Sequence, residues 1–434
     1  MKFYSTNKKT VPVSFETAVI KGIAEDGGLY LPGSFPVLKD DFFSNIEQFS
    51  FNEIALEVLN PFLKDEIGED DLKKIIERAF NFTTPLVELS DDLHVLELFH
   101  GPTLAFKDFG ARFMAQVLSY FLKGSDKKIY ILVATSGDTG SAVANGFYNL
   151  PGINVILLYP SGKVSAIQEK QLTTFGKNIT SLEVNGNFDD CQRMVKQAFS
   201  DKDLNEKLQL SSANSINIAR LLPQSLYYFY AFALVKNKQL PVVFSVPCGN
   251  LGNLTGALIA KKMGLPVAKF IAGLNSNSVF YEYLQTGQFN PRTTIRTISN
   301  AMDVGNPSNF FRIKEMFNND YELIKNIIFS RYFSDEETIG GIKEVHKMFG
   351  YMIDPHGAVG YLALKEFLQE NKSGNINGII LETAHPAKFM DVIEGAIGEK
   401  IIIPERLKSC LGKEKKSTKI SSDFYELNEF LINY

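Results

Sequence analysis

Apolar residues recur along the chain with two different spacings, and the change from one to the other marks different parts of the sequence. In residues 51–63 and 70–80 they recur every three or four positions, which predicts two amphipathic helices near the N-terminus. From about residue 93, short apolar runs alternate with loops and with further segments of helical spacing. The runs predicted as strands are 94–99, 128–134, 155–159, 181–184, 242–247, 269–274 and 378–382. This alternation is typical of an α/β protein whose mainly parallel sheet is covered by helices on both faces.

Length, charge and cysteine content narrow the classes of protein. A chain of 434 residues predicts two or three packed units. With 45 Lys+Arg against 49 Asp+Glu, the formal net charge of −4 gives no general attraction for nucleic acid or an anionic membrane. Cys191, Cys248 and Cys410 are too widely spaced for a CxxC metal pair or a disulfide framework. Because no apolar run suits a signal peptide or a membrane span, we expect a cytoplasmic protein. No spacing of His, Cys and carboxylate residues predicts a metal site.

The loop 100–108 carries a lysine in an unusual setting. Lys107 lies between an apolar pair and Asp108, just ahead of a predicted helix. Burial among apolar residues lowers the pKa of a lysine, and the neutral amine can then form a Schiff base with an aldehyde. Taken alone, the loop favours the commoner arrangement, which is a surface lysine paired to Asp108.

Two other loops follow predicted strands and could bind anions. The loop 247–253 contains Gly249, Asn250, Leu251, Gly252 and Asn253, and its glycines allow backbone N–H groups to converge on a phosphate at a helix N-terminus. The loop 135–140 could hold a carboxylate in the same way. Each loop could also be no more than a tight turn or a helix cap. Together with a reactive amine, however, the two loops suit an aldehyde cofactor that carries a phosphate and acts on an amino acid.

Four motifs, in order along the chain, resemble those of the threonine synthases, which belong to the tryptophan-synthase-β-like (fold type II) pyridoxal-phosphate enzymes. The motifs are HGPTLAFKD at 100–108, ATSGDTG at 134–140, NSIN at 214–217 and ETAHPAKF at 382–389. The openings at 4–6 and 26–30 resemble the bacterial and fungal branch. The resemblance spans essentially the whole chain. It implies a helical N-terminal segment (1–92), a smaller α/β domain (93–215) and a larger α/β domain (216–434), each α/β domain with a parallel sheet.

The resemblance also implies a reaction and a cofactor. The reaction is conversion of O-phospho-L-homoserine and water into L-threonine and phosphate, with pyridoxal 5'-phosphate bound to Lys107. Lys107 would then act as the base. Residues 249–253 would cradle the cofactor phosphate, and Thr383 would face the pyridine nitrogen. Leu251 and Asn253 stand where the family commonly has Phe and Asp, which puts any side-chain role at those positions in doubt.

Substrate contacts are expected from residues of three loops. Ser136, Asp138 and Thr139 would face the substrate carboxylate, although Asp138 could instead be a helix cap. Lys163, Asn214 and Asn217 are candidates for the substrate phosphate. A monomer or a homodimer is expected. Two other functions stay open at this point, a threonine or serine dehydratase of the same fold and a non-catalytic protein that binds a phosphorylated ligand.

Overall fold

The computed structural model describes residues 1–371 and 376–434, in which strands and helices alternate along most of the chain. The strands of the described residues are β1 Phe3–Ser5, β2 Tyr30–Pro32, β3 Leu86–Ser90, β4 Leu93–Glu97, β5 Ile129–Ala134, β6 Ile153–Pro160, β7 Ile179–Asn185, β8 Gln209–Ser212, β9 Val242–Pro247, β10 Val267–Leu274, β11 Ile328–Tyr332, β12 Asn377–Glu382 and β13 Thr418–Ser421. The helices are α1 Phe15–Lys21, α2 Asp40–Asn45, α3 Phe51–Leu63, α4 Glu69–Ala79, α5 Lys107–Phe121, α6 Asp138–Phe147, α7 Ala166–Thr173, α8 Phe188–Ser200, α9 Lys202–Lys207, α10 Ile218–Leu221, α11 Leu226–Leu234, α12 Gly252–Lys262, α13 Val279–Thr286, α14 Phe310–Met316, α15 Tyr321–Ile327, α16 Asp335–Phe349, α17 Pro355–Glu370, α18 Met390–Ile397, α19 Glu405–Leu411 and α20 Phe424–Ile432. Short 3-10 turns lie at 46–48, 222–225, 300–302 and 386–389. The predicted α/β class is confirmed.

The larger sheet has six strands in the order β11-β10-β9-β12-β4-β3. All neighbouring pairs are parallel except β3 and β4, which are antiparallel. The central strands β9 and β12 are buried along their whole length, as expected for strands covered on both faces. Their carboxyl ends lead directly into Cys248 and Thr383, so two of the predicted site loops leave this sheet at the same edge.

The smaller sheet has five parallel strands in the order β13-β7-β6-β5-β8. Its strand β5 ends at Ala134 and leads into the third predicted site loop. The runs predicted as strands at 128–134, 155–159 and 181–184 correspond to β5, β6 and β7. The smaller sheet therefore places the loop after β5 at the edge that faces the larger sheet.

Two strands lie outside the sheet to which the predicted division at residues 92 and 215 assigns them. β4, near the start of 93–215, pairs with β12 in the larger sheet. β13, near the end of the chain, pairs with β7 in the smaller sheet, with Leu182 opposite Thr418. Local hydrophobic pattern predicts that a segment is a strand, but the partner of a parallel strand is set by long crossover connections.

The N-terminal segment packs its helices against the body of the protein. The predicted helices are confirmed as α3 and α4, and α3 begins with a capping box between Ser50 and Glu53. Phe80 stacks on Phe113 of α5 with ring centroids 6.0 Å apart. α5 begins at Lys107, so this packing fixes the helix on which that lysine stands. Within the described residues, no helix is both long and apolar enough to cross a membrane.

Candidate active site

One cavity lies between the two sheets, where the three predicted loops meet. Predicted site residues that line it are Lys107, Ser136, Thr139, Asn214, Gly249, Asn250, Gly252, Asn253 and Thr383. Side chains that line it and were not predicted are Ser215, Arg220, Gln224, Asp303 and His356, among others. The structure therefore brings most of the predicted residues together.

Lys107 is the first residue of α5, and its amine faces the cavity. Burial lowers the pKa of Lys107 to about 8, with Asp138 acting in the opposite direction. Among the described residues, Nζ makes no hydrogen bond or ion pair, and the nearest aromatic ring is that of Phe106, with its centroid 5.9 Å away. At neutral pH, an amine with this pKa is neutral in a far larger fraction of molecules than an exposed lysine.

Asp108, the alternative partner of Lys107, is occupied elsewhere. Its carboxylate accepts hydrogen bonds from the Thr103 backbone N–H and hydroxyl, both at 2.8 Å. A Cβ on Gly101 would lie 2.4 Å from Asp108 Oδ2, so only glycine fits this turn. The sequence left open a surface ion pair between Lys107 and Asp108. This pair does not form, because Asp108 is fully buried and points into its own loop.

The lysine loop is held against the loop that follows β12. The Phe106 N–H donates to the Thr383 carbonyl at 2.9 Å, and the His385 N–H donates to the Leu104 carbonyl at 3.1 Å. Leu104 is in the left-handed region with φ of 57°, a rare conformation for a non-glycine residue. Lys107 and Thr383 are therefore positioned by the same pair of backbone hydrogen bonds.

The loop after β9 presents a row of backbone donors to the cavity. The N–H groups of residues 249–253 have no acceptor within the described residues, and α12 begins at Gly252. A Cβ on Gly249 would lie 2.8 Å from Met302 Cα, and one on Gly252 would lie 3.2 Å from Ser215 Cβ. Free N–H groups at the N-terminus of an eleven-residue helix have the geometry that suits a phosphate.

The side chains of Leu251 and Asn253 support this loop from behind. Leu251 is fully buried in the hydrophobic core and adopts φ of 58°, which turns the chain into α12. Asn253 Nδ2 donates to the Pro247 carbonyl at 2.8 Å, and its Oδ1 accepts from the Leu254 N–H. The two departures from the family pattern thus hold the loop and leave its N–H groups free.

The loop before α6 offers a second set of donors. Thr135 Oγ1 accepts from the N–H groups of Gly137 and Gly140 at 3.0 and 2.8 Å, which caps part of the helix. The N–H groups of Ser136, Asp138 and Thr139 have no acceptor in the described part of the chain. Ser136 and Thr139 line the cavity, so their free donors suit a carboxylate there.

Asp138 points away from the cavity and pairs with a buried lysine. Its Oδ1 lies 2.8 Å from Lys388 Nζ and accepts from Gln168 Nε2 at 3.1 Å. Burial alone would raise the pKa of Asp138, but Lys388 and Lys107 hold it below its ordinary value. Asp138 is therefore a carboxylate that joins the loop before α6 to the turn at 386–389.

Arg220 brings a positive charge to the cavity that sequence reasoning missed. Its guanidinium is buried beside Gly110 of α5, where a Cβ would lie 2.8 Å from Nε. One terminal nitrogen donates to the Ala213 carbonyl, whereas Nε has no partner among the described residues. Arg220 follows the NSIN motif by three residues, which was the available signal. Asn214, in that motif, donates to the Ala134 carbonyl at 3.0 Å and lines the cavity.

Besides Leu251 and Asp138, two further predicted residues do not line this cavity. Asn217 is fully buried, caps α10, and donates to the Val19 carbonyl at 2.8 Å. Lys163 is exposed and lines a separate cleft together with Arg296 and Lys388. Asn217 is thus committed to backbone hydrogen bonds, and Lys163 lies on a neighbouring surface.

A group of buried acids lies behind Thr383. Glu382 accepts from the Asp354 N–H at 2.7 Å, and its second oxygen has no partner among the described residues. Burial, together with the charge of Asp354, raises the pKa of Glu382 well above its ordinary value. Asp354 in turn bonds His356 Nδ1 at 2.8 Å, and His356 Nε2 accepts from the Ala301 N–H. This chain of bonds holds residues 301–302 against Gly249.

Arg312 is a second buried arginine close to the loop 249–253. Its guanidinium donates to the carbonyls of Tyr30, Ser215 and Ile216 and to Asn309 Oδ1, at 2.6–3.2 Å. Asn309 in turn donates to the Asn250 carbonyl at 3.0 Å. Arg312 therefore links the N-terminal segment, the NSIN motif and the phosphate loop.

The residues of the cavity fit an aldehyde cofactor with a phosphate group. Lys107 supplies an unpaired amine, and 249–253 supply a cradle from which a Cβ is excluded at Gly249 and in which one would be crowded at Gly252. Where the chain is described, no cluster of His, Cys, Asp and Glu could hold a metal ion. Organic cofactor chemistry is the reading that this donor set favours.

Comparisons with known proteins give the same result over the whole chain. Three family models match in order: "Threonine synthase N terminus" at residues 2–80, "Pyridoxal-phosphate dependent enzyme" at 79–380 and "Threonine synthase, C-terminal" at 357–431. The threonine synthase of Buchnera aphidicola subsp. Acyrthosiphon pisum is 44% identical, with all of both chains covered. That of Escherichia coli K12 is 42% identical, also with full coverage of both chains.

Solved structures agree with the sequence relatives. Threonine synthase from Escherichia coli superimposes with a TM-score of 0.93 at 41% identity, covering 100% of each chain. A "PLP bound" threonine synthase from Brucella melitensis gives a TM-score of 0.91 at 33% identity, covering 100% of this chain and 99% of the other. A tomato threonine deaminase, at 16% identity and a TM-score of 0.55, shares the fold alone. The fold type II architecture and the pyridoxal phosphate cofactor are thereby confirmed, and the chain belongs to the threonine synthase family of pyridoxal-phosphate-dependent enzymes.

Proposed function

We propose that this threonine synthase acts on O-phospho-L-homoserine and water and forms L-threonine and phosphate, with the cofactor held on Lys107. The observation that carries the proposal is the meeting of three features in one cavity. These are the unpaired amine of Lys107, the free N–H groups of 249–253, and the free N–H groups of Ser136 and Thr139. An amino-acid substrate with a phosphate tail needs the cofactor, one carboxylate site and one further cation.

The residues that would hold pyridoxal phosphate are Lys107, the loop 249–253 and Thr383. The loop would bind the phosphate through backbone N–H groups, and Thr383 would face the ring nitrogen with a neutral hydroxyl. When bound, the cofactor supplies an aldehyde that captures the substrate amine and a ring that withdraws electrons from Cα.

Lys107 would move the protons of the reaction. Its Nζ would take a proton from Cα, release that proton, and then take a second one from Cβ. The bond between Cγ and the phosphate oxygen breaks, and Cγ later receives a proton. The oxygen of a water molecule then bonds to Cβ while the water proton leaves, and Cα is protonated again. A pKa of about 8 suits an amine that must both accept and donate protons near neutral pH.

The substrate would lie between the two sheets. Its carboxylate would accept hydrogen bonds from the N–H groups of Ser136 and Thr139, aided by the N-terminal end of α6. Its phosphate would meet Arg220, whose buried Nε is unpaired, and Asn214. The predicted substrate contacts of Asp138, Asn217 and Lys163 receive no support from the geometry, because those side chains do not line the cavity.

Turnover of three amino acids tests the proposal. The purified protein is incubated separately with O-phospho-L-homoserine, L-threonine and L-serine, and threonine, phosphate and ammonia are measured. We expect phosphate and threonine in equal amounts from the first substrate. Ammonia from threonine or serine, without turnover of phosphohomoserine, would instead support a dehydratase.

A spectrum of the protein tests the role of Lys107 and the non-catalytic alternative. We expect an absorption band near the edge of the visible range that disappears in Lys107→Ala and persists in Lys196→Ala, an exposed position on α8. Borohydride reduction and peptide mapping should then label position 107. A colourless protein that is unaffected by added cofactor would instead support the non-catalytic alternative, a protein that binds a phosphorylated ligand.

We also infer a cytoplasmic location and a monomer or homodimer. The location is supported by cysteines that are free, with Cys191 and Cys248 buried as thiols. Fractionation of cells and analytical ultracentrifugation test the two inferences.

A further inference from the structure

Lys388 is a buried cation that the proposed reaction does not use. It lies in the turn 386–389, within the motif that follows Thr383, and its side chain is 0% exposed. A buried ammonium is costly unless it is paired, and the partner of Lys388 is Asp138 at 2.8 Å. The pair joins the turn after β12 to the loop after β5, and so connects the two sheets at the cavity.

Asp138 has two lysines nearby and bonds only one of them in the described structure. Its Oδ1 is taken by Lys388 and by Gln168 Nε2 at 3.1 Å. Lys107 feels the charge of Asp138, yet its Nζ has no hydrogen bond among the described residues. The arrangement leaves the amine that faces the cavity without a counter-ion.

We propose that Lys388 is a positioning residue that occupies the Asp138 carboxylate, so that the Lys107 amine stays free of an ion pair and able to bond the cofactor aldehyde. Without Lys388, Asp138 would be a buried, unpaired carboxylate. The other lysine whose charge acts on Asp138 is Lys107, which could then compensate the carboxylate. A lysine held as an ammonium ion has no lone pair and cannot attack a carbonyl carbon.

Burial and three neighbouring charges together set the pKa of Lys107. Burial lowers its pKa most, Asp138 raises it, and Lys388 and Arg220 lower it. The neighbouring His356 is bonded to Asp354, and Asp108 is bonded to Thr103. Removing Lys388 should therefore raise the proton affinity of Lys107 in two ways. It deletes a charge that repels the protonated amine, and it frees the Asp138 carboxylate to attract that amine.

The inference rests on the proposed role of Lys107, and its test measures that amine in the cofactor-free protein. The apo-protein is labelled with a trace of a small acetylating reagent at a series of pH values, and peptide mass spectrometry gives the labelling midpoint of Lys107. The variants are Lys388→Met, Lys388→Arg, Asp138→Asn and the double variant. Lys365→Met is the control, because Lys365 forms a surface pair with Glu344 at 2.7 Å. The rate at which added pyridoxal phosphate produces its absorption band is followed in parallel.

We expect the midpoint to rise by about one pH unit in Lys388→Met, which is roughly a tenfold loss of reactive amine at neutral pH. The rate of band formation should fall by the same factor. Asp138→Asn should lower the midpoint. The double variant and Lys388→Arg should return it close to that of the unmodified protein, and Lys365→Met should leave it unchanged.

An unchanged midpoint in Lys388→Met would overturn the inference, and so would a midpoint in the double variant as high as in the single one. If Lys388→Met does not fold, the labelling midpoint of Lys107 in Asp138→Asn is the deciding measurement. An unchanged midpoint in that variant would also overturn the inference. Failure of the proposed function is a different result. In that case borohydride would leave position 107 unlabelled in the unmodified, cofactor-saturated protein.

Discussion

Replacement of Lys107 by methionine should stabilise the cofactor-free protein at neutral pH. The ordinary lysine pKa of 10.5 falls to about 8 when Lys107 is buried. Each tenfold change in proton affinity corresponds to about 1.4 kcal/mol, so the protonated lysine costs the folded apo-protein roughly 3 kcal/mol. That figure is an upper value, because part of the side chain faces the cavity. Methionine has a similar length and no charge, and it removes this cost.

The sign of the pH dependence follows from the lowered pKa. Below pH 8 the lysine is protonated in both the folded and the unfolded chain, and the full cost is present. Between about 8 and 10.5 the folded protein loses its proton first, and the cost declines. Above 10.5 both states are neutral and the cost is absent. The gain from Lys107→Met should therefore be largest at neutral pH and vanish towards pH 10.5.

Urea unfolding of the apo-proteins at pH 7, 9 and 10.5 measures this difference. Lys196→Met, on the exposed face of α8, is the matched control and should change the free energy of unfolding by less than about 0.5 kcal/mol at every pH. Equal stability of Lys107→Met and the unmodified protein at pH 7 would refute the reasoning. A stability gain that does not depend on pH would refute it too, because packing alone would then explain it.

Three further substitutions test other parts of the site. Gly249→Ala would place a Cβ 2.8 Å from Met302 Cα and 3.0 Å from the Ala301 carbonyl oxygen, both backbone atoms that cannot turn aside. We expect cofactor affinity, titrated by absorbance, to fall about 10- to 100-fold, whereas Gly395→Ala, with nothing within 4 Å, should leave it unchanged. Arg312→Met leaves several carbonyls without their donor and should cost about 3 kcal/mol of unfolding free energy. The same variant should weaken cofactor binding in titration. A mutant that is less stable but binds the cofactor normally would contradict the link from Arg312 to the loop 249–253. Burial raises the pKa of Glu382, so folding takes up a proton and stability falls as pH rises above the ordinary glutamate value. Glu382→Gln should remove that fall between pH 6 and 8 in urea unfolding, and an unaltered slope would show that Glu382 is ionised.

The reactive loops could be predicted because their chemistry is local. Lys107 and the glycines of 249–253 lie in short segments whose residue types suit one task. Their backbone conformation follows from position alone, between a strand and a helix. The family resemblance then assigned Thr383, which no local pattern would single out.

The residues that sequence reasoning missed act through contacts between distant segments. A sequence alone gives arginine and lysine side chains a solvated surface position as the usual expectation, and this applies to Arg220, Arg312 and Lys388. Their burial depends on partners 7 to 282 positions away, such as the carbonyls of Ala213 and Tyr30. Apart from the position of Arg220 three residues after the NSIN motif, the sequence carries no signal for such pairs. The same limit explains why the sheet partner of β4 could not be predicted.

The placement of β13 has a consequence for biosynthesis. This strand covers the edge of β7, more than two hundred residues upstream, and it is therefore synthesised well after β7. Until then β7 presents unpaired backbone groups, which makes the nascent chain prone to pairing with other strands. The smaller sheet can therefore be completed only after residues 418–421 have been synthesised, and deletion of this strand would leave β7 as an uncovered edge.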